Sequence, residues 1–344
     1  MSLARPDRTG LPGQVIPPPL TGNVLDVDSL TVDYLTQRGR VRAVEDVSFG
    51  VDRGEFLGIV GESGCGKSTL LFAIAQLLLS PAEITAGRVL FKGTNLVGLT
   101  DSALATTRWR DMSLVMQSAM NALNPVKSIG GQFKDAMRAH GVRSPAEIAD
   151  RSAEVLRMVG IDPVHLKSYP HQLSGGMRQR SMIAMAMLFT PELVIMDEPT
   201  SALDVVAQRS LMVQIKDLQR QLGFAIIFVT HDMSLVSHFS DRLMVMYAGQ
   251  VAELGATRRV FDSPLHPYSA GLLDAFPSIH GPRVPLTGIP GSPPDLAKPG
   301  DGCRFAPRCP QVFDRCRTTT VPLYHVGGIE VRCLRQESGG DGRD

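Results

Sequence analysis

Apolar and polar residues alternate at Leu30, Val32 and Tyr34 and again through Ala43–Val51, a period of two that predicts strands with one buried face. The next stretch, Glu55–Val60, is a short apolar strand that stops at Gly61. A helix is predicted over Ser68–Leu79, closed by Ser80-Pro81. Ser144-Pro145-Ala146-Glu147 has the form of a capping box with proline at the first helical position. Ile148, Ser152, Val155, Leu156 and Val159 then share one helical face, and Gly160 suits the position just past the helix end. Leu193–Met196 and Phe224–Val229 are apolar runs bounded by polar turns, as expected of strands buried on both faces. Leu211, Ile215, Leu218 and Leu222 recur between them at helical spacing. Strands alternating with helices predict a parallel α/β sheet. The segment from about Ser118 to Gln172 lacks strand signals and reads as a helical insertion.

Both ends of the chain break this pattern. Residues 1–22 contain Pro6, Pro12, Pro17, Pro18 and Pro19 and are expected to be disordered. After Leu254 the composition shifts, and residues 277–310 are crowded with proline and glycine, which predicts a separate small module. Lys+Arg 35 against Asp+Glu 34 leaves a net charge of +1, so no global basic field points to nucleic acid as a partner. Apolar runs such as Phe72–Leu79 and Met182–Phe189 are too short to span a bilayer, and no secretory signal is visible at the N-terminus. A cytoplasmic location is expected, with any membrane role arriving through other subunits.

The strongest chemical signal is Gly61-Glu62-Ser63-Gly64-Cys65-Gly66-Lys67-Ser68, followed by Thr69: a G-x-x-x-x-G-K-S phosphate loop between a predicted strand and helix. Its glycines let backbone N–H groups face phosphate oxygens at a helix N-terminus. Lys67 is expected to reach the β- and γ-phosphates of ATP, and the Ser68 hydroxyl to bind Mg²⁺. Cys65 needs no catalytic role, because any small residue fits there. At the end of the apolar run Leu193–Met196 stand Asp197 and Glu198. Asp197 is placed to hold Mg²⁺ through water, and Glu198 to position the attacking water as general base. His231, just beyond Phe224–Val229, falls on the same sheet edge and can reach the γ-phosphate. A lone histidine there would be an ordinary surface residue; its order after Asp197-Glu198 favours the catalytic role.

Leu173-Ser174-Gly175-Gly176-Met177-Arg178-Gln179 matches LSGGxxQ, and with it the chain resembles the nucleotide-binding subunit of an ATP-binding cassette (ABC) transporter over about residues 24–260. The resemblance implies a P-loop NTPase (RecA-like) α/β core with an antiparallel β subdomain and a helical subdomain at about 118–178. It implies further that Ser174, Gly175, Gly176 and Gln179 cap ATP held by the opposite subunit. Gln117 resembles the Q-loop glutamine, completing a Mg²⁺ set with Ser68 and Asp197. Ser201-Ala202-Leu203-Asp204 resembles the D-loop that crosses the dimer interface, and Tyr34 occupies the place of an adenine-stacking aromatic. Chromosome-associated ABC ATPases carry long coiled coils between loop and signature, and translation-associated ones carry two cassettes. Here only about a hundred residues intervene, without heptads, and there is one cassette. A stand-alone metabolic kinase would leave the signature unexplained.

A narrower resemblance lies in Leu123-Asn124-Pro125, His266-Pro267-Tyr268 with Leu272-Leu273, and Gly302-Cys303-Arg304-Phe305-Ala306-Pro307-Arg308-Cys309-Pro310, which look like the dipeptide/oligopeptide importer branch. It implies a heterodimer with a second, non-identical ATPase, two transmembrane permeases and an extracytoplasmic substrate-binding protein, at the cytoplasmic face of the membrane. Ser118-Ala119-Met120-Asn121-Ala122 instead resembles related oligosaccharide importers, the alternative substrate class. Residues 261–344 would form a C-terminal extension around Cys303, Cys309, Cys316 and Cys333, spaced C-x5-C-x6-C-x16-C. Some members of this branch hold a [4Fe–4S] cluster, which all-thiolate ligation suits; zinc and unligated thiols or disulfides remain the alternatives.

Overall fold

The computed structural model describes residues 22–37, 39–117, 122–201, 203–275 and 288–339, so nearly all of the predicted disordered N-terminal segment lies outside the described residues. The alternating segments form the expected strands. β1 (Asn23–Thr36) and β2 (Gly39–Asp52) pair antiparallel, and the apolar stretch after them forms β3 (Phe56–Val60). The phosphate loop then opens α1 (Lys67–Ile74).

Helix α1 ends before the predicted Leu79. Gln76 turns to φ 55°, and the Arg108 guanidinium donates to the Ala75 carbonyl at 3.3 Å and also to that of Gln76. Those are the acceptors a longer helix would have used for its own backbone. Leu79 is consequently 82% exposed.

β4 (Ala82–Phe91) and the short β5 (Thr94–Asn95) complete a four-stranded antiparallel sheet in the order β2-β1-β4-β5. α2 (Asp101–Thr107) leads to β6 (Met112–Val115), and the predicted helical insertion follows as α3 (Ile129–Ala139), α4 (Pro145–Met158) and α5 (Gly175–Ala186). α4 starts as its sequence predicts: Ser144 Oγ accepts the Glu147 N–H at 3.3 Å, with Pro145 at the first position. Gly160 follows its end at φ 70°.

The chain returns through β7 (Leu193–Asp197), α6 (Val205–Leu222), β8 (Ala225–Val229), α7 (Met233–Phe239), β9 (Arg242–Tyr247) and β10 (Gln250–Ala256). Strands β9-β3-β8-β7-β6 lie parallel in that order. Successive residues alternate between two cores. Phe56, Val60, Val194, Met196, Ile226 and Phe228 face the core shared with α3–α5, and Leu57, Ile59, Leu193, Ile195 and Ile227 face the one shared with α1 and the antiparallel sheet. Each such fully buried side chain contributes about 1.5–3 kcal/mol to holding these five-residue strands.

The C-terminal extension is stitched onto this sheet. After α8 (Thr257–Asp262) and α9 (Pro267–Asp274), β11 (Tyr324–Val326) and β12 (Ile329–Val331) add to its edge, β12 pairing antiparallel with β10. The eight-stranded order β11-β12-β10-β9-β3-β8-β7-β6 thus runs without interruption from the tail through the central strands to β6.

Candidate functional site

The C-terminal ends of β3, β6, β7 and β8 bring the candidate residues to one sheet edge, where open α/β sheets hold ligands. Gly61 leaves β3 at φ 151°, and a Cβ there would lie 2.2 Å from the Met246 carbonyl oxygen. Gly66 caps α1 at φ 102°, and a Cβ would lie 2.2 Å from the Ala43 carbonyl oxygen. The loop is therefore threaded between β2 and β9 in a path only glycine permits at these two points. Lys67 Nζ donates to the carbonyls of Gly61 at 2.8 Å and Glu62 at 3.0 Å, folding over the loop's hollow where phosphate would sit. Ser63 and Gly64 are exposed at the tip. Cys65 is buried, and burial pushes its thiol up, which favours the inert protonated form. Tyr34 is half-buried, its hydroxyl 3.2 Å from Thr69 Oγ1 beside the start of α1.

Asp197 is the last residue of β7 and is buried. Burial pushes its carboxyl up, the Ser68 hydroxyl bonded to it pulls down, and the neighbouring Glu198 pushes up again. A buried acid bonded to a hydroxyl is a hard-oxygen donor set suited to Mg²⁺. Glu198 stands at φ 46°, in the left-handed region, with its N–H bonded to the Val229 carbonyl at 2.8 Å. Such a conformation costs a non-glycine residue roughly 1–2 kcal/mol, and it turns the side chain off the strand. The carboxylate is then held between two groups: Gln117 Nε2 donates to Oε2 at 2.7 Å, and His231 Nδ1 lies 3.4 Å from Oε1. His231 is otherwise exposed. A cavity of about 200 Å³ opens here, lined by Glu198, Thr200, Ser201, Gln208, Thr230, His231 and Asp232. Gln208 carries no motif that marks it in the sequence; its Nε2 donates to the Thr200 carbonyl at 2.9 Å and so shapes one wall.

Ser174 caps α5 with its Oγ accepting the Met177 N–H at 3.2 Å, and it is exposed. A Cβ on Gly175 would meet nothing within 4 Å, so the backbone is bare at a positive helix end. Among the described residues no hydrogen bond joins Ser174–Gln179 to the phosphate loop of the same chain. Gln179, expected with Ser174 to act on a nucleotide held by another subunit, does not stand exposed beside it. Its side chain is buried, and Nε2 donates to the Pro199 carbonyl. Asp204 caps α6 by accepting the Ala207 N–H at 2.8 Å, Ser201 and Leu203 lie on the turn before it, and Ala202 lies outside the described residues, as do Ser118–Asn121.

The metal reading of the tail finds no support among the described residues. The four thiols share one corner, since each of Cys309, Cys316 and Cys333 makes ionisation of Cys303 costlier, while burial pushes Cys303 up to about 11. Yet among the described residues no group of three or more Cys, His, Asp or Glu is arranged to hold a metal ion. Cys316 packs with Ala306, Val321 and Leu334, Cys333 packs with Ile329 and Val331, and Cys303 and Cys309 lie against the large core. All four are free thiols, Cys316 and Cys333 buried and Cys303 and Cys309 half-buried, and this arrangement gives no support for a [4Fe–4S] cluster or zinc.

Comparison with known proteins gives two family matches: "ABC transporter" over residues 44–201, and "Oligopeptide/dipeptide transporter, C-terminal region" over residues 252–316. The dipeptide transport ATP-binding protein DppD of Bacillus subtilis is 44% identical over 296 residues, 85% of this chain and 88% of that protein. The oligopeptide transport ATP-binding protein OppD of Salmonella typhimurium is 42% identical over 301 residues, 87% and 90% of the two chains. Among solved structures, the dimeric bacterial ABC transporter cassette MJ0796 superposes with a TM-score of 0.61 at 29% identity, covering 68% of this chain and 99% of that one.

Proposed function

Because the chain belongs to the ATP-binding proteins of ABC transporters, in the dipeptide and oligopeptide import branch, we propose that Lys67, Ser68, Asp197, Glu198 and His231 bind and hydrolyse ATP and that a second cassette completes the site. The protein is an ATPase that energises peptide import, and it works with permease and substrate-binding partners. Among the described residues no helix is long and apolar enough to cross a membrane. We assign the chain a peripheral place at the cytoplasmic face, paired with a non-identical ATPase subunit.

The observation that carries the site assignment is the Glu198 carboxylate, fixed between Gln117 and His231 on the same edge as the Ser68–Asp197 pair. Lys67 turns from its two carbonyls to the β- and γ-phosphates, trading neutral acceptors for anionic ones. Ser68 and Asp197, with Gln117, would hold Mg²⁺, which would supply charge neutralisation at the phosphates. Glu198 orients a water and takes its proton as the oxygen attacks the γ-phosphorus in line with the departing ADP oxygen. His231 donates to the γ-phosphate, and Tyr34 stacks on adenine. Ser174, Gly175 and Gly176 of each chain cover the γ-phosphate bound by the other, in support of which the similar cassette was solved as a dimer. ATP favours the closed pair because only there do both surfaces touch it, and hydrolysis removes that differential affinity.

Glu198→Gln tests this in the assembled transporter. ATP binding persists, turnover falls by about 10²–10⁴-fold, the worth of a positioned base, and the closed pair accumulates. Parent-like turnover in a complex whose other site is silenced overturns the base assignment.

A further inference from the structure

The His266-Pro267-Tyr268 and Cys303–Cys309 segments stand outside the catalytic scheme, yet both reach the phosphate loop, and both meet at its second residue. Tyr268, at the start of α9, is fully buried, and its hydroxyl accepts the Glu62 backbone N–H at 2.9 Å. Arg308 forks onto the Glu62 carboxylate, Nη1 to Oε2 at 2.7 Å and Nη2 to Oε1 at 2.9 Å. Its remaining donors go to Tyr247 Oη at 3.2 Å, the Pro290 carbonyl at 2.8 Å and the Ile289 carbonyl at 3.2 Å. All five guanidinium N–H groups are thus used in a planar fork that a lysine could not reproduce.

The platform behind these contacts is rigid. The rings of Tyr247, Tyr268 and Phe305 pack with centroids 4.5–5.4 Å apart, and Arg304 donates to the Ala248 carbonyl and to Glu45. From there the hold passes to the loop's other end, since Glu45 N–H bonds the Gly249 carbonyl at 2.8 Å and Gly249 N–H bonds the Cys65 carbonyl at 2.9 Å.

We propose that Tyr268 and Arg308 are positioning residues for the nucleotide: the C-terminal extension holds Glu62, and through it the phosphate loop, in the shape that receives a triphosphate. The inference rests on ATP binding at the phosphate loop. Glu62 places a carboxylate on the very loop that must receive an anion, and an unpaired charge there would repel the ligand. The Arg308 guanidinium cancels that charge and aims the carboxylate away from the loop's hollow. Tyr268 takes up one loop N–H, which stops the loop from turning that amide inward or leaving it unpaired. The tail is therefore part of the nucleotide site, although no tail residue faces the phosphates.

The test is ATPase kinetics of the assembled transporter, with direct ATP binding to the full-length chain. Arg308→Met raises KM and the dissociation constant for ATP about tenfold, the usual worth of a charge-assisted fork, and leaves kcat within about twofold. Adding Glu62→Gln to it removes the freed charge and restores affinity to within about threefold of the parent, a rescue that a purely structural loss would not give. Tyr268→Phe keeps the buried ring and raises KM about threefold, so the idea stays testable if Arg308→Met fails to fold. The proposal is overturned if Tyr268→Phe or a folded Arg308→Met binds ATP like the parent, or if the double variant binds more weakly than Arg308→Met. Lys67→Ala serves as the control. Parent-like ATP binding by that variant would overturn the phosphate-loop reading itself, whereas loss of binding there with parent-like Arg308→Met would sink only the present inference.

Discussion

Acidification should loosen the tail through a single imidazole. His266 is buried at the N-cap of α9, where its Nδ1 accepts the Tyr268 N–H at 3.0 Å. The groups facing it are the Glu253 carboxylate, whose oxygens take the Leu265 and His266 N–H groups at 2.8 and 3.0 Å, the Arg332 backbone, and the rings of Tyr268 and Phe305. Burial pushes the imidazole down to about 4 from its usual 6.5. The folded chain therefore refuses a proton that the unfolded chain accepts. Stability is complete above pH 6.5 and is lost as pH falls towards 4. At about 1.36 kcal/mol per pH unit the loss reaches about 2.5 kcal/mol near pH 4.5, a large part of a typical domain's margin of about 5–15 kcal/mol. Burial pushes Glu253 up, so it holds its proton longer when folded and works in the opposite direction at the acid end. His266→Asn isolates the imidazole, because asparagine keeps a capping acceptor and does not titrate. Denaturant melts of parent and variant at pH 7.5, 6.5, 5.5 and 4.5 should diverge by that amount, with only the parent steepening below pH 6.5. Parallel curves across the range would show that His266 is not held neutral.

Two further outcomes follow from single contacts. Gly66→Ala puts a Cβ 2.2 Å from the Ala43 carbonyl oxygen at φ 102°, so ATP binding is lost and stability falls by at least about 1–2 kcal/mol; unchanged nucleotide affinity in a binding titration would contradict the loop geometry. Gln179→Leu leaves the buried Pro199 carbonyl without its donor and costs about 1–3 kcal/mol in a thermal melt, whereas a residue facing only a partner's nucleotide would leave the isolated chain's melt unmoved.

What could be read from the sequence was local. Period-two alternation located β1 and β2, the apolar runs located β3, β7 and β8, and Ser144-Pro145 fixed the start of α4, because backbone sterics and neighbouring hydrogen bonds decide those features within a few residues. The positions of the phosphate loop, Asp197, Glu198 and His231 were legible for a similar reason: each stands at the last residue of a strand or within two residues of its end, and parallel strands deliver such residues to one edge. Misreadings arose where distant parts of the chain compete. Arg108 takes the carbonyls that would have extended α1. The four late cysteines share a corner, Cys303 packing against the cluster that holds Cys316, and their spacing alone does not report what the thiols are for. The link between Arg308 and Glu62 spans 246 positions and leaves no trace in either neighbourhood.

The burial of Gln179 sets it apart from the exposed Ser174 that opens the signature helix. Ser174 at the start of α5 remains exposed and free to meet a partner's γ-phosphate, while Gln179, on the next turn of the same helix, is bonded to Pro199, directly after Glu198. Glu198 itself is strained, and its backbone N–H is tied to Val229, so it cannot follow a displacement of the loop without changing its hold on Gln117 and His231. In the proposed head-to-tail pair, the helix end that feels one nucleotide is therefore joined, within a few bonds, to the carboxylate that orients the attacking water at the other. In that proposed pair, coupling between the two ATP sites would run through the same Gln179–Pro199 hydrogen bond that fixes the loop in the isolated chain.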